Sequence, residues 1–232
     1  MKHFNFRIAL LISFLSLTGI STLLAQDAVT SNPDLFRALF DNERIRVLDQ
    51  RLKPGRKENM HTHPPYVKYT LSSYRGTVTY PNGSTTSMRR INPAQIMWFD
   101  GETHAQKNSG KTDMHALIFE LKGPHVVQAE KHEGNDDPLV VAGKTHKLLL
   151  ENDRVRVLEF RLHPKEETSS HHHRDGVFYI LSGGDITETV AGGKTNQVTL
   201  TKGDTKWVDA KSHKVKNAGT TEVRMLIVEL KD

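Results

Sequence analysis

Short runs rich in β-branched and aromatic residues, many alternating apolar with polar, recur along most of the chain. They are Arg44–Arg51 (RIRVLDQR), Val67–Leu71, Thr77–Tyr80, Ile96–Phe99 and His115–Leu121, then Arg154–Arg161, Val177–Leu181, Asp185–Val190, Gln197–Leu200 and Val223–Leu230. Pro54-Gly55, Pro81-Asn82-Gly83, Gly183-Gly184, Gly192-Gly193 and Gly219 punctuate them. A period of two sends alternate side chains to opposite faces of a strand, so short strands at this spacing predict an all-β sandwich or barrel. No long amphipathic helix is apparent. Asn32–Leu39 has room for one helical turn, but its match to Lys147–Leu150 favours a strand.

The pattern occurs twice. Asp41–Leu71 aligns without a gap on Glu151–Leu181 at an offset of 110, anchored by Arg44/Arg154, Val47/Val157, Pro54/Pro164 and Tyr69/Tyr179. Further on the offset is 109, and Trp98 falls on Trp207. This period is far longer than that of solenoid repeats, so it marks a duplicated domain. Residues 32–123 are expected to form the first domain and 141–232 the second, with a linker over 124–140 around the polar, turn-rich EGNDDP. His125 and His132 fall in that region and read as solvent-exposed loop histidines.

Residues 1–25 are set apart from the fold. Lys2 and Arg7 precede the apolar stretch Ile8–Leu24, and Ala25-Gln26-Asp27 follows. This is the layout of a secretory signal peptide, cut after Ala25 or alternatively after Ala28; the rival reading is an uncleaved anchor. Export places the mature protein in the periplasm or outside the cell. The net charge of +5 falls to +3 without Lys2 and Arg7, and acids are interspersed with bases, which argues against a nucleic-acid partner. There is no cysteine. Packing rather than disulfides must hold the chain, and any metal site must use histidine and carboxylate.

The candidate chemistry lies in histidines that both copies keep. His61 and His63 align with His171 and His173, and His104 aligns with His213. Residues i and i+2 on a strand share a face, so each His-x-His pair presents two imidazoles together, with Thr62 or His172 on the other side. A third histidine from another strand completes a set suited to Zn, Fe, Cu, Ni or Mn. Other matched residues read differently. Trp98 and Trp207 read as packing residues, Tyr69 and Tyr179 as candidates to face a cavity, Asp100 and Asp209 as turn residues, and Glu120 and Glu229 as exposed charges on the final strand. His115 is replaced by Arg224 and is no shared ligand.

These motifs resemble those of cupins, and the chain as a whole resembles a bicupin. Gly55, five residues, His61-Thr62-His63 and Gly76 are similar to the first cupin motif; the second copy has Lys165, His171, His173 and Gly183. Gly203, Trp207, His213 and Asn217 are similar to the second motif, with Ala94, Trp98, Gly101, His104 and Asn108 in the first copy. The resemblance implies two tandem jelly-roll-like β-barrels with metal at His61, His63, His104, His171, His173 and His213. Cupin sites usually add a glutamate after the histidine pair. Pro64–Lys68 offers no acid and the second copy offers only Asp175, so both sites are expected to be three-histidine sites.

The expected function is that of an exported bicupin holding one or two divalent transition metals and acting on a small molecule, with dioxygenase-like chemistry first. Isomerase and lyase chemistry stay open, as does a non-catalytic module for a sugar or organic acid. Two halves can pair as a pseudo-dimer within a monomer, or assemble further.

Overall fold

The computed structural model describes residues 26–123 and 134–231; the expected signal peptide, His125 and His132 lie outside them. The first half runs α1 (Ala28–Ser31), β1 (Phe36–Asp41), β2 (Ile45–Leu52), β3 (His61–His63), β4 (Tyr66–Thr70), β5 (Tyr74–Thr79), β6 (Thr85–Ile91), β7 (Ile96–Phe99), β8 (Glu102–Asn108) and β9 (Met114–Leu121). The second repeats it as α2 (Pro138–Val141), β10 (His146–Glu151), β11 (Val155–Leu162), β12 (His171–His173), β13 (Gly176–Ser182), β14 (Gly184–Val190), β15 (Thr195–Leu200), β16 (Thr205–Val208), β17 (Lys211–Asn217) and β18 (Val223–Leu230). Among the described residues, every element apart from two single-turn helices is a strand. No helix among the described residues is long and apolar enough to cross a membrane.

Each half folds one five-stranded sheet over one four-stranded sheet, a jelly-roll-like barrel. The orders are β1-β2-β9-β4-β7 with β3-β8-β5-β6, and β10-β11-β18-β13-β16 with β12-β17-β14-β15. The five-stranded sheets pack back to back. Ile45, Val47, Val67, Leu117, Phe119 and Leu121 meet Val155, Val157, Val177, Leu226, Val228 and Leu230 in one core between the halves. Each such side chain contributes about 1.5–3 kcal/mol over its exposed state, which joins the halves into one packed unit. Arg44 crosses the junction, reaching Asp175 at 2.8 Å and lying over the Trp207 ring.

This packing corrects two expectations. Tyr69 and Tyr179 belong to the core between the halves and do not face the barrel interiors. Glu120 and Glu229 are buried, not exposed. Strands β9 and β18 are covered on both faces: Leu117, Phe119 and Leu121 go to the junction while Ile118 and Glu120 go inward. Alternation alone cannot tell which face is wet when neither is.

Short-range bonds lock the ends of the barrels. Asp27 caps α1 by accepting from Val29 N at 3.0 Å and Thr30 N at 3.2 Å, and Asp137 caps α2 by accepting from Leu139 N at 2.9 Å. The Asn108 side chain donates to Leu52 O at 2.7 Å and Thr112 O at 2.8 Å, and Asn217 does the same to Leu162 O at 2.9 Å and Thr221 O at 2.8 Å.

At two turns the copies share a left-handed backbone but not a glycine. Gly55 (φ 79°) corresponds to Lys165 (φ 68°), and Gly203 (φ 92°) to Ala94 (φ 61°). A side chain in this region costs about 1–2 kcal/mol, offset in part by its stiffer unfolded state. Lys165→Gly and Ala94→Gly are therefore each expected to stabilise the fold by up to about 1 kcal/mol. Denaturant midpoints check this, and a lower midpoint for both would contradict it.

Candidate metal centres

The register of two short strand pairs builds both sites. On β3, His61 and His63 point into the barrel, and pairing with β8 sets His61 directly opposite His104. Pairing of β12 with β17 sets His171 opposite His213 in the same way. In the first half the ring centroids of His61 and His63 are 4.7 Å apart, and His104 lies 4.9 and 5.4 Å from them. In the second half His171 and His173 are 4.9 Å apart, and His213 lies 4.8 and 5.5 Å from them. All six expected histidines are buried, but ligand atoms close enough to share one ion include only five of them: His61, His63 and His104 in the first half and His171 and His173 in the second, where His213 packs its ring beside the pair and stands outside the group.

The second half brings in a residue that the sequence reading passed over. His146, on β10, puts its ring 4.7 Å from His171 and 5.2 Å from His173. Ring nitrogens of His146, His171 and His173 fall within 4.8 Å of one another, as do those of His61, His63 and His104. Asp175 joins neither cluster: its carboxylate is held by Arg44 and by Ala210 N at 2.6 Å.

A buried carboxylate sits behind each pair. His63 Nδ1 donates to Glu120 Oε1 at 2.5 Å, and His173 Nδ1 to Glu229 Oε1 at 2.6 Å. The other oxygens accept from Arg46 Nε at 2.6 Å and Arg156 Nε at 2.5 Å. The two arginines also pair with Asp27 and Asp137, the helix-capping acids. Burial raises the Glu229 carboxyl above its ordinary range, against the pull of Arg156. The partners of the distal histidines differ. His213 Nδ1 donates to Glu188 Oε1 at 2.5 Å, and that bond with Lys211 beside it holds the Glu188 carboxyl down to about 2. His104 Nδ1 lies 3.1 Å from Glu102 Oε1 but is misaligned for a hydrogen bond.

These contacts fit a metal. His61 Nδ1 donates to Asn59 O at 2.8 Å and His171 Nδ1 to Ser169 O at 2.8 Å. With Nδ1 carrying the proton on His61 and His63, both Nε2 atoms hold lone pairs, yet they face each other 3.0 Å apart. Two imidazole nitrogens bound to one ion at about 2.0–2.1 Å and at right angles sit about 3.0 Å apart, so a cation resolves the clash. The Nε2 atoms of His146 and His171 are buried without any partner. A carboxylate or carbonyl behind each ligating histidine fixes its tautomer and raises its basicity.

The linings differ between halves. In the first, buried Gln50, Glu58, Lys68 and Gln106 form a polar network: Gln50 Nε2 donates to Glu58 at 2.6 Å and Lys68 Nζ to Gln106 Oε1 at 3.0 Å. Their counterparts are Phe160, Thr168, Phe178 and Val215. In the second half a cavity of about 170 Å³ adjoins His213, walled by Phe178, Ile180, Ile186, Val215 and Met225, with Glu188 and Lys211 beside the histidine.

Residues 158–229 match the family model of the cupin domain. Both halves together superpose on a variant oxalate decarboxylase from Bacillus subtilis with a TM-score of 0.59 at 14% identity, covering 87% of this chain and 76% of that one. The fold is that of a bicupin. Oxalate decarboxylase from Lactobacillus farciminis, in a formate complex, gives 0.55 at 12% identity over 82% of this chain and 78% of that one. A further Bacillus subtilis oxalate decarboxylase structure, concerned with its Mn(II) centres, gives 0.57 at 14% identity over 87% and 76%. Comparison with curated proteins finds no match. At such identities the likeness is one of fold.

Buried neutral imidazoles make the metal-free bicupin acid-sensitive. Burial, the largest influence on each, pushes His61 and His146 down to about 3 and His171 to about 4 from an ordinary 6.5. Between these values the unfolded chain binds more protons than the folded one, so stability falls as pH drops below 6.5 and levels off above it. Each of the three contributes about 1.4 kcal/mol per pH unit in that window. Urea unfolding of chelator-treated protein from pH 7 to 5 is expected to show this slope, reduced in His146→Phe. A flat profile would contradict it.

Proposed function

We propose that this bicupin is an exported, metal-dependent enzyme acting on a small molecule, with dioxygenase-like oxidoreductase chemistry as the leading reading. One observation carries it: in each half, a His-x-His pair with anchored outer nitrogens brings its inner nitrogens within 4.8 Å of those of a third buried histidine, His104 in the first half and His146 in the second. A divalent ion there supplies a Lewis acid with open coordination positions and, for iron, an O₂-binding centre. Zn, Fe, Mn, Cu and Ni all suit imidazole, and Mn draws support from the Bacillus subtilis neighbour.

The chain's own residues supply the rest. Glu120 and Glu229 hold His63 and His173 in the ligating tautomer. The apolar walls of the second-half cavity exclude water and seat the carbon skeleton of a substrate whose oxygens face His213. Lys68 and Glu58, buried in one network with Gln50 and Gln106, give the first barrel a polar interior suited to a polar ligand such as an organic acid or a sugar. That polar interior also supports the second reading, a non-catalytic module for a small ligand. Export is part of the proposal. Cleavage after Ala25 keeps Asp27, which caps α1 and pairs with Arg46, whereas cleavage after Ala28 removes it.

Protein recovered from the exported fraction and loaded with each metal should be assayed for oxygen uptake and CO₂ release on diketones, thiols, phenols and oxalate. Turnover of one class is expected, falling at least roughly a hundredfold in His171→Ala or His61→Ala, as for loss of a group central to the chemistry. Saturable binding without turnover would replace the enzyme by the binding module.

A further inference from the structure

We propose that the second half holds its metal with four histidines, His146, His171, His173 and His213, and the first with three, so that the two sites differ in affinity. This rests on reading the clusters as metal centres.

Strand register sets the fourth position. Phe36 on β1 lies opposite Gln50, and His146 on β10 lies opposite Phe160 at the matching place. Phe36 packs its ring 5.1 Å from His61 and 5.9 Å from His63, where His146 packs 4.7 and 5.2 Å from His171 and His173. The substitution thus exchanges an apolar wall for an imidazole on the same spot.

His146 is prepared as a ligand. It is 3% exposed. Its Nδ1 lies 3.1 Å from Thr145 Oγ1 and 3.2 Å from Ala142 O; the Thr145 hydroxyl donates its own proton to Ala142 O at 2.9 Å, so Nδ1 carries the ring proton and Nε2 keeps a lone pair that has no partner in the barrel. It approaches the His171–His173 pair from the side opposite His213, whose ring lies 4.8 and 5.5 Å from those two but whose nitrogens stand outside the group that His146 forms with them, so a small inward shift of His213 completes the set of four. One edge of β12 pairs with β17, which carries His213; at the other, His172 N donates to Asp136 O, just ahead of α2 and β10. The His171–His173 pair is therefore flanked on both edges. Each of the four rings has acceptors for the outer nitrogen: Thr145 Oγ1 and Ala142 O for His146, Ser169 O for His171, Glu229 for His173 and Glu188 for His213. An octahedral ion bound by four imidazoles keeps two open positions, enough for one chelating ligand. Bound by three, it keeps three, enough for a chelating ligand and a water.

The test is a Zn²⁺ titration of chelator-stripped protein against a chromophoric competitor. Two ions per chain with unequal affinities are expected. His146→Phe, which installs the residue found at position 36, should weaken the tighter site by roughly tenfold or more and leave the weaker one unchanged. Phe36→His should tighten the weaker site, which keeps the assignment testable if the first variant does not fold. Equal sites in the unaltered protein, or affinities that neither substitution moves, would overturn the four-histidine assignment while leaving the metal centres in place. No zinc binding at all would overturn the metal reading itself.

Discussion

Each half turns on a carboxylate buried against an imidazole. Taking Glu120 or Glu229 out of water costs several kcal/mol, and the fold recovers it through two charge-assisted bonds, one from histidine Nδ1 and one from arginine. The arginine is held in turn by the aspartate that caps the first helix of its half. A chain of contacts thus runs from the start of each half to its central histidine pair. It fixes which imidazole nitrogen keeps its lone pair, and with it the ability of the pair to grip a cation. The back-to-back packing of the five-stranded sheets serves the same end, because it dries the other face of the strands that carry these glutamates.

Around this shared frame the halves have diverged in what surrounds the ion. The first barrel holds Lys68, Gln50, Glu58 and Gln106 where the second holds Phe178, Phe160, Thr168 and Val215. The histidine at position 146 is a phenylalanine at 36, and Glu188, which holds His213, takes the place of Val78. One half offers its ion a charged, hydrogen-bonded interior and the other an apolar cavity. A duplicated fold that keeps the His-x-His pair and its buried glutamate while altering what surrounds them carries two distinct environments on one chain.

Much of this was legible in the residues. The strands, the duplication, the first histidine trio and the His171–His173 pair followed from period, alignment and the i, i+2 rule. His146 did not, for a definite reason: comparing the copies retains what they share, and its partner is Phe36. Glu120 and Glu229 were visible as matched residues, but alternation cannot separate two buried faces. The missed signal was a matched acid within an apolar run, paired with the equally matched Arg46 and Arg156. The left-handed turns at Ala94 and Lys165 were foreshadowed by the glycines at Gly203 and Gly55. Asp175, the only acid near a histidine pair in sequence, faces the junction because Arg44 and Ala210 N claim its carboxylate.

The central claim is that each half independently builds a metal centre from its own histidines. Native mass spectrometry of the stripped protein reconstituted with a single divalent ion tests it most directly. The account predicts two ions per chain, and one in each of the variants His63→Ala and His173→Ala. No bound ion, or a count that neither substitution lowers, would contradict it.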